Sequence, residues 1–161
     1  MGSLQDELRQ SKPFQSLRQE LVLQIARTSA VLMHAWEQSL RLYGITLTQY
    51  NVLRILRGAG NTGLSRNDVA DRLVTQVPDV SRLLERMVRS GLVLRVRDTV
   101  DRRMVTATIT ERGMAILAEL DTPSYLVADE RLAHMPDADV QTLIRLLEVA
   151  RTSAHCPAAK R

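Results

Sequence analysis

The chain has 161 residues, 45% hydrophobic, 25% charged and 3% aromatic, with a formal net charge of +4 and a pI of about 9.8. That length suits one domain with its own core, the composition excludes a low-complexity disordered chain, and no apolar run is long enough to span a bilayer. The N-terminal "MGSLQDELRQ" lacks the apolar centre of a secretory signal and the single cysteine, Cys156, leaves no internal disulfide, so a cytoplasmic protein is expected.

From Gln15 to Tyr43, Leu17, Leu21, Ile25, Thr28, Leu32, Trp36, Leu40 and Tyr43 recur every three or four positions with no internal proline or glycine, which predicts one helix. At about 29 residues and 1.5 Å per residue it would measure roughly 44 Å, longer than an isolated compact domain covers. Part of it is therefore expected to pack against another chain, and Gly44 ends it. In "TLTQYNVLRIL", Thr46 and Gln49 stand in capping-box relation ahead of the helix-spaced Tyr50, Leu53, Ile55 and Leu56.

Next comes "RGAGNTGLS", in which Gly58, Gly60 and Gly63 spell G-x-G-x-x-G. That spacing cradles a pyrophosphate only between a buried strand and a helix, with an acidic residue about 20 positions on. Here a helix runs into the glycines. Beyond them "LSRNDVADRL" opens a helix of about two turns, capped by Ser65 and Asp68. The acidic candidates Asp79 and Glu85 fall in yet another helix, so the glycines read as a flexible turn between helices.

"TQVPDVSRLLERMVRSG" predicts a further helix with Thr75 as its cap, Pro78 in its first turn and Gly91 as its stop. Val80, Leu83, Leu84, Met87 and Val88 form a core stripe, while Asp79, Arg82, Arg86 and Arg89 occupy the other side. The period then falls to two. "LVLRVR" (92–97) and "VTATIT" (105–110) read as a hairpin with arginines at its tip. Thr110 caps the next helix, "ERGMAILAEL", which Pro123 is expected to interrupt before "SYLVADERLAHM" resumes. A last helix around 138–150 carries Val140, Leu143, Leu147 and Ala150 on one stripe.

The cationic residues are all arginine except Lys12 and Lys160. Arginine suits phosphates and guanine edges, although a genome rich in G and C also favours its codons. A helix presenting arginines and a hairpin with a basic tip form two basic features on one helix-turn-helix, the arrangement that places a helix in the major groove and a wing beside it. The fold class is thus mainly α with a small β-hairpin wing.

"GITLTQYNVL", "PDVSRLLERMVRSGLVLR" and "DRRMVTATITERG" resemble the MarR family of bacterial transcriptional regulators over about residues 15–152. The wing is the most specific part: Asp101, Arg102 and Arg103 stand at the family's Asp-x-Arg, and Thr110 and Gly113 at its Leu-Thr-x-x-Gly, with Ile109 in place of leucine. The resemblance implies Arg103 as the minor-groove arginine held by Asp101, and Gln76, Pro78, Asp79, Ser81, Arg82 and Arg86 on or beside the major groove, with Arg97 and Arg102 completing the set. It also implies a homodimer through helices in 15–44 and 111–152, a winged lobe over 45–110, double-stranded DNA with a palindromic operator as partner, and repression relieved by a small aromatic or carboxylate effector. Trp36 and Tyr50 are the candidate effector pocket. The alternative is a winged-helix module that binds protein in place of DNA.

No catalytic set is visible, so an enzyme is not expected, and no cofactor is implied. Glu130 and His134 form an i,i+4 pair, but with His34 they do not make a metal site of definable geometry. Cys156, with His155 its only activating neighbour, reads as an incidental thiol.

Overall fold

The computed structural model describes residues 3–97 and 105–154. The chain divides between Tyr125 and Leu126 into two compact units. In the first, α1 (Leu4–Glu7) precedes α2 (Leu17–Arg41), which begins at Ser16, whose hydroxyl accepts the Gln19 N–H. A helix of 25 residues results, a little shorter at each end than the periodicity suggests. Gly44, at φ +68°, turns the chain out of it. α3 (Leu47–Ala59) starts at the Thr46 capping box, with reciprocal bonds to Gln49 of 3.2 and 2.9 Å.

The glycine-rich segment is more ordered than a flexible turn. Gly58 lies inside α3, a 3₁₀ turn covers Gly60–Thr62, and Leu64–Ser65 form a short strand, β1. Gly63 makes this strand reachable: its φ is +65°, and a Cβ there would lie 2.8 Å from the Ala107 carbonyl oxygen. Only glycine lets the backbone pass that close. α4 (Arg66–Arg72) follows from the Ser65–Asp68 capping box, and the Ser65 hydroxyl holds the Asp68 carboxyl below the ordinary carboxylate range.

α5 spans Val80–Arg89, and two expectations need correction at its start. The cap is Asp79 and not Thr75, and Pro78 lies before the helix, outside its first turn. Proline disfavours helical geometry at the residue before it, so Val77 cannot begin the helix; the Asp79 carboxylate then accepts the Arg82 N–H at 2.9 Å. Gly91, at φ +70°, ends α5 as its N–H bonds to the Val88 carbonyl.

β2 (Val93–Arg97) pairs antiparallel with β3 (Val105–Ile109), and β3 also pairs with β1, giving the order β1-β3-β2. Thr110 joins this sheet to α6: its hydroxyl donates to the Gly91 carbonyl at 2.8 Å and accepts the Gly113 N–H at 3.0 Å. A Cβ at Gly113 would lie 2.7 Å from the Leu92 carbonyl oxygen, so the last glycine of the wing motif is also required by close packing. The core gathers Leu40, Tyr50, Leu53, Leu56, Val69, Leu83, Leu84, Met87, Val93 and Leu117.

α6 runs unbroken over Glu111–Leu132, which corrects the expected interruption at Pro123. A proline removes its own amide donor but has a helical φ, so a long helix can lose that one bond and continue. In the second unit α7 (Asp137–Ala154) starts where the Asp139 and Val140 amides bond to the Pro136 carbonyl.

Candidate nucleic-acid interface

α5 separates its side chains cleanly. Val80, Leu83, Leu84 and Met87 are buried, while Arg82, Glu85, Arg86 and Arg89 are exposed and Ser81 is half-buried between the two sets. Burying the apolar face fixes the roll of the helix about its axis, and that roll aims the arginines outward. Gln76, Pro78 and Asp79 are exposed in the connection leading into it. Asp79 has a structural task as well, since one of its oxygens caps the helix.

The wing adds a contact that sequence reasoning missed. Arg95 of β2 approaches Glu85 of α5 at 3.7 Å, linking the sheet to the exposed side of the helix. Val93 is fully buried, whereas Leu94 and Val96 are 56% and 51% exposed. Leu94 and Val96 thus lie on its open face, and Arg95 shares the inner face with Val93. Arg97 closes β2 opposite Val105. Asp101, Arg102 and Arg103 lie outside the described residues, as do His155 and Cys156.

A second missed contact ties α3 to α6. Arg57 donates from both terminal nitrogens to the two Asp121 oxygens, each at 2.9 Å, across 64 residues of sequence. The hydrogen-bonded guanidinium holds the Asp121 carboxyl below the usual range, and the carboxylate raises Arg57 in turn. Nothing local signals this pair. A third is the Asn51 side-chain oxygen, which accepts the Val74 N–H at 3.0 Å.

Trp36 and Tyr50 do come together, with ring centroids 5.9 Å apart and planes inclined at 56°. The Arg54 guanidinium lies 5.8 Å from the centre of the Tyr50 ring and donates to its hydroxyl at 3.0 Å. The Trp36 indole N–H is buried with no acceptor among the described residues. A cavity of about 500 Å³ opens elsewhere, where Arg57 meets Thr108, Ile109 and Met114. Among the described residues no group of three or more His, Cys, Asp or Glu is placed to hold a metal ion, and no helix is long and apolar enough to cross a membrane.

A short helix, a connection, a second helix with outward arginines and an adjoining antiparallel wing define a winged helix-turn-helix DNA-binding lobe. Comparison with known proteins identifies its kind. The MarR family profile matches residues 43–104. A MarR transcription factor of Planctomyces limnophilus, known from its crystal structure, is 35% identical, with 85% of this chain and 99% of that one aligned at a TM-score of 0.64. The transcriptional regulator TtmR of Methylorubrum extorquens (strain PA1) is 30% identical over 113 residues, 70% of this chain, which spans 57% of that relative's length. The homoprotocatechuate degradative operon repressor of Escherichia coli is 25% identical over 132 residues, covering 82% of this chain and 88% of the repressor. The chain belongs to the MarR family and is a winged-helix, DNA-binding transcriptional regulator. Its relatives are transcription regulators, not enzymes.

Proposed function

We propose that the protein is a cytoplasmic homodimeric repressor, without an enzymatic step of its own, that binds a palindromic operator and is released by a small aromatic or carboxylate effector. The observation that carries the DNA reading is the division of α5 into a buried apolar face and an outward row of Arg82, Arg86 and Arg89. Gln76, Pro78, Asp79, Ser81, Arg82 and Arg86 lie on or beside the major groove, and Asp79 also caps the helix that carries Ser81, Arg82 and Arg86. Arg97, Arg102 and Arg103 serve the wing, and Asp101 holds Arg103.

The dimer reading is supported by apolar side chains left uncovered. Leu17, Leu21, Val22 and Val31 on α2 are 50–84% exposed, and Leu143, Ile144, Leu146 and Val149 on α7 are 44–57% exposed. Exposed apolar side chains gathered in this number on two helices mark an interface. A two-fold dimer then sets two recognition helices about 34 Å apart, one turn of B-DNA. The residues 15–44 and 111–152 are its proposed dimerisation segments, and 45–110 its DNA-binding lobe.

The effector reading is supported by the Trp36 N–H. A buried donor without an acceptor among the described residues is costly, and a carboxylate or phenolate oxygen beside Tyr50 would satisfy it. A ligand that prefers the DNA-free form a hundredfold shifts the balance by about 2.7 kcal/mol per site.

Selection of bound duplexes from random DNA, followed by titration at several salt concentrations, tests the reading. A palindromic consensus and an affinity that falls steeply with salt are expected, because neutralised phosphates release counterions. Salt-insensitive binding to a protein partner, with no duplex selected, would overturn it.

A further inference from the structure

The connection from α4 to α5, residues 73–79, contains no glycine, although the turn of a helix-turn-helix often uses one to redirect the chain. Its path is held from outside. Leu73 leaves α4 in extended geometry (φ −67°, ψ 135°), and the next amide, that of Val74, is bonded to the Asn51 side-chain oxygen on α3. Further along, Val77 packs against the core and Asp79 caps α5. Between these anchors the Val74 side chain is 84% exposed, next to the exposed Thr75 and Gln76. A scattered exposed valine needs no explanation. This one differs because its own backbone amide is pinned to another helix, which fixes an apolar point ahead of the recognition helix.

We propose that Val74 is a base-reading residue that packs on the C5-methyl group of a thymine in each half-site, and that Asn51 is the positioning residue that holds it there. The inference rests on the reading that α5 enters the major groove. In that groove thymine is the base that displays a methyl group, whereas guanine offers the acceptors that arginine prefers. Arg82 and Arg86 therefore suit guanines, and a fixed valine in the connection ahead of their helix adds a thymine to the same half-site.

The test uses the full-length protein and its selected operator, with each symmetric pair of thymines replaced in turn by deoxyuridine. This removes the methyl group and leaves base pairing intact. One pair should weaken binding about fourfold per half-site, the factor for returning roughly one methyl group to water. Val74→Ser, at an exposed position, should bind the thymine and uracil duplexes equally. Asn51→Ala should also lose the distinction, while Asn51→Asp, which keeps an acceptor oxygen, should retain it. The salt dependence of Val74→Ser and Asn51→Ala should match the parent, since neither changes a charge or touches a phosphate contact. If Asn51 only supported the fold, Asn51→Ala would weaken every duplex alike and keep the thymine preference, which would overturn its role. An operator without a methyl-sensitive thymine, or a preference that survives Val74→Ser, overturns the proposal and leaves the groove reading standing. Failure of the parent to select any duplex overturns the groove reading and the proposal with it.

Discussion

An alanine at Gly63 would need space that is already filled. Its Cβ would lie 2.8 Å from the Ala107 carbonyl oxygen and 2.8 Å from Thr108 Cγ2, on a backbone at φ +65° and ψ −178°. That region is essentially open to glycine alone and costs other residues about 1–3 kcal/mol. Overpacking costs about 1–3 kcal/mol more, because the obstructing carbonyl belongs to the central strand and cannot retreat without opening the β1–β3 pairing. Gly63→Ala should therefore destabilise by about 2–6 kcal/mol. Gly58, five positions earlier in the same G-x-G-x-x-G, behaves in the opposite way. It sits inside α3, where an added Cβ would have nothing within 4 Å, so alanine there gains helix propensity, about 0.5–1 kcal/mol. At roughly 2–4 °C per kcal/mol for a chain of this size, Gly63→Ala should melt on the order of 10 °C below the parent and Gly58→Ala about 2 °C above it. Circular dichroism melts at matched protein concentration read both, since a dimer's midpoint depends on concentration. A Gly63→Ala midpoint within about 1 °C of the parent would refute the close-approach argument.

Thr110→Val keeps the shape but removes the bonds to Gly91 and Gly113, and should cost about 1–2 kcal/mol in urea denaturation; an unchanged midpoint would count against a capping role. The depressed Asp121 carboxyl contributes stability that is complete above the ordinary carboxylate pKa of about 4 and is lost as pH falls through its lower folded value. Asp121→Asn should accordingly melt below the parent at pH 7, with the gap narrowing below about pH 4; a gap independent of pH would rule out the ion pair as its source. Arg82→Ala should change which bases a selection returns, at about 1–3 kcal/mol for the affected position, whereas Arg103→Ala should weaken all duplexes with less change of sequence. Equal operator affinity in both variants and the parent would defeat the groove assignment. Trp36→Leu should blunt the response to small aromatic carboxylates while DNA affinity without ligand stays close to the parent's, and a fluorescence anisotropy titration that shows the same response in both proteins would remove Trp36 from the effector site.

Features whose partners lie within a few residues are legible in the sequence alone. The Thr46–Gln49 and Ser65–Asp68 capping boxes, the stops at Gly44 and Gly91, and the apolar stripe of α5 all depend on local hydrogen bonds and helical period, and all occur where expected. Local rules fail where two of them compete. Thr75 and Asp79 both suit a cap, and Pro78 decides between them; Pro123 resembles a stop, yet one missing donor does not end a helix of 22 residues. The two-residue strand β1 is too short to show a period, and it exists because Gly63 lets the chain lie against β3. The alternation in β2 marks a strand without saying which face looks inward; its register with β3 and packing against α5 bury Val93 and leave Leu94 and Val96 outside. The outward arginines of α5 are thus identifiable from the sequence, but the contacts that hold their helix in place are not. Asn51 reaches Val74 across 23 residues, and Arg57 reaches Asp121 across 64. A residue's spacing records the element it belongs to, whereas contacts of this kind arise only after several elements have packed, so the tertiary structure alone decides them.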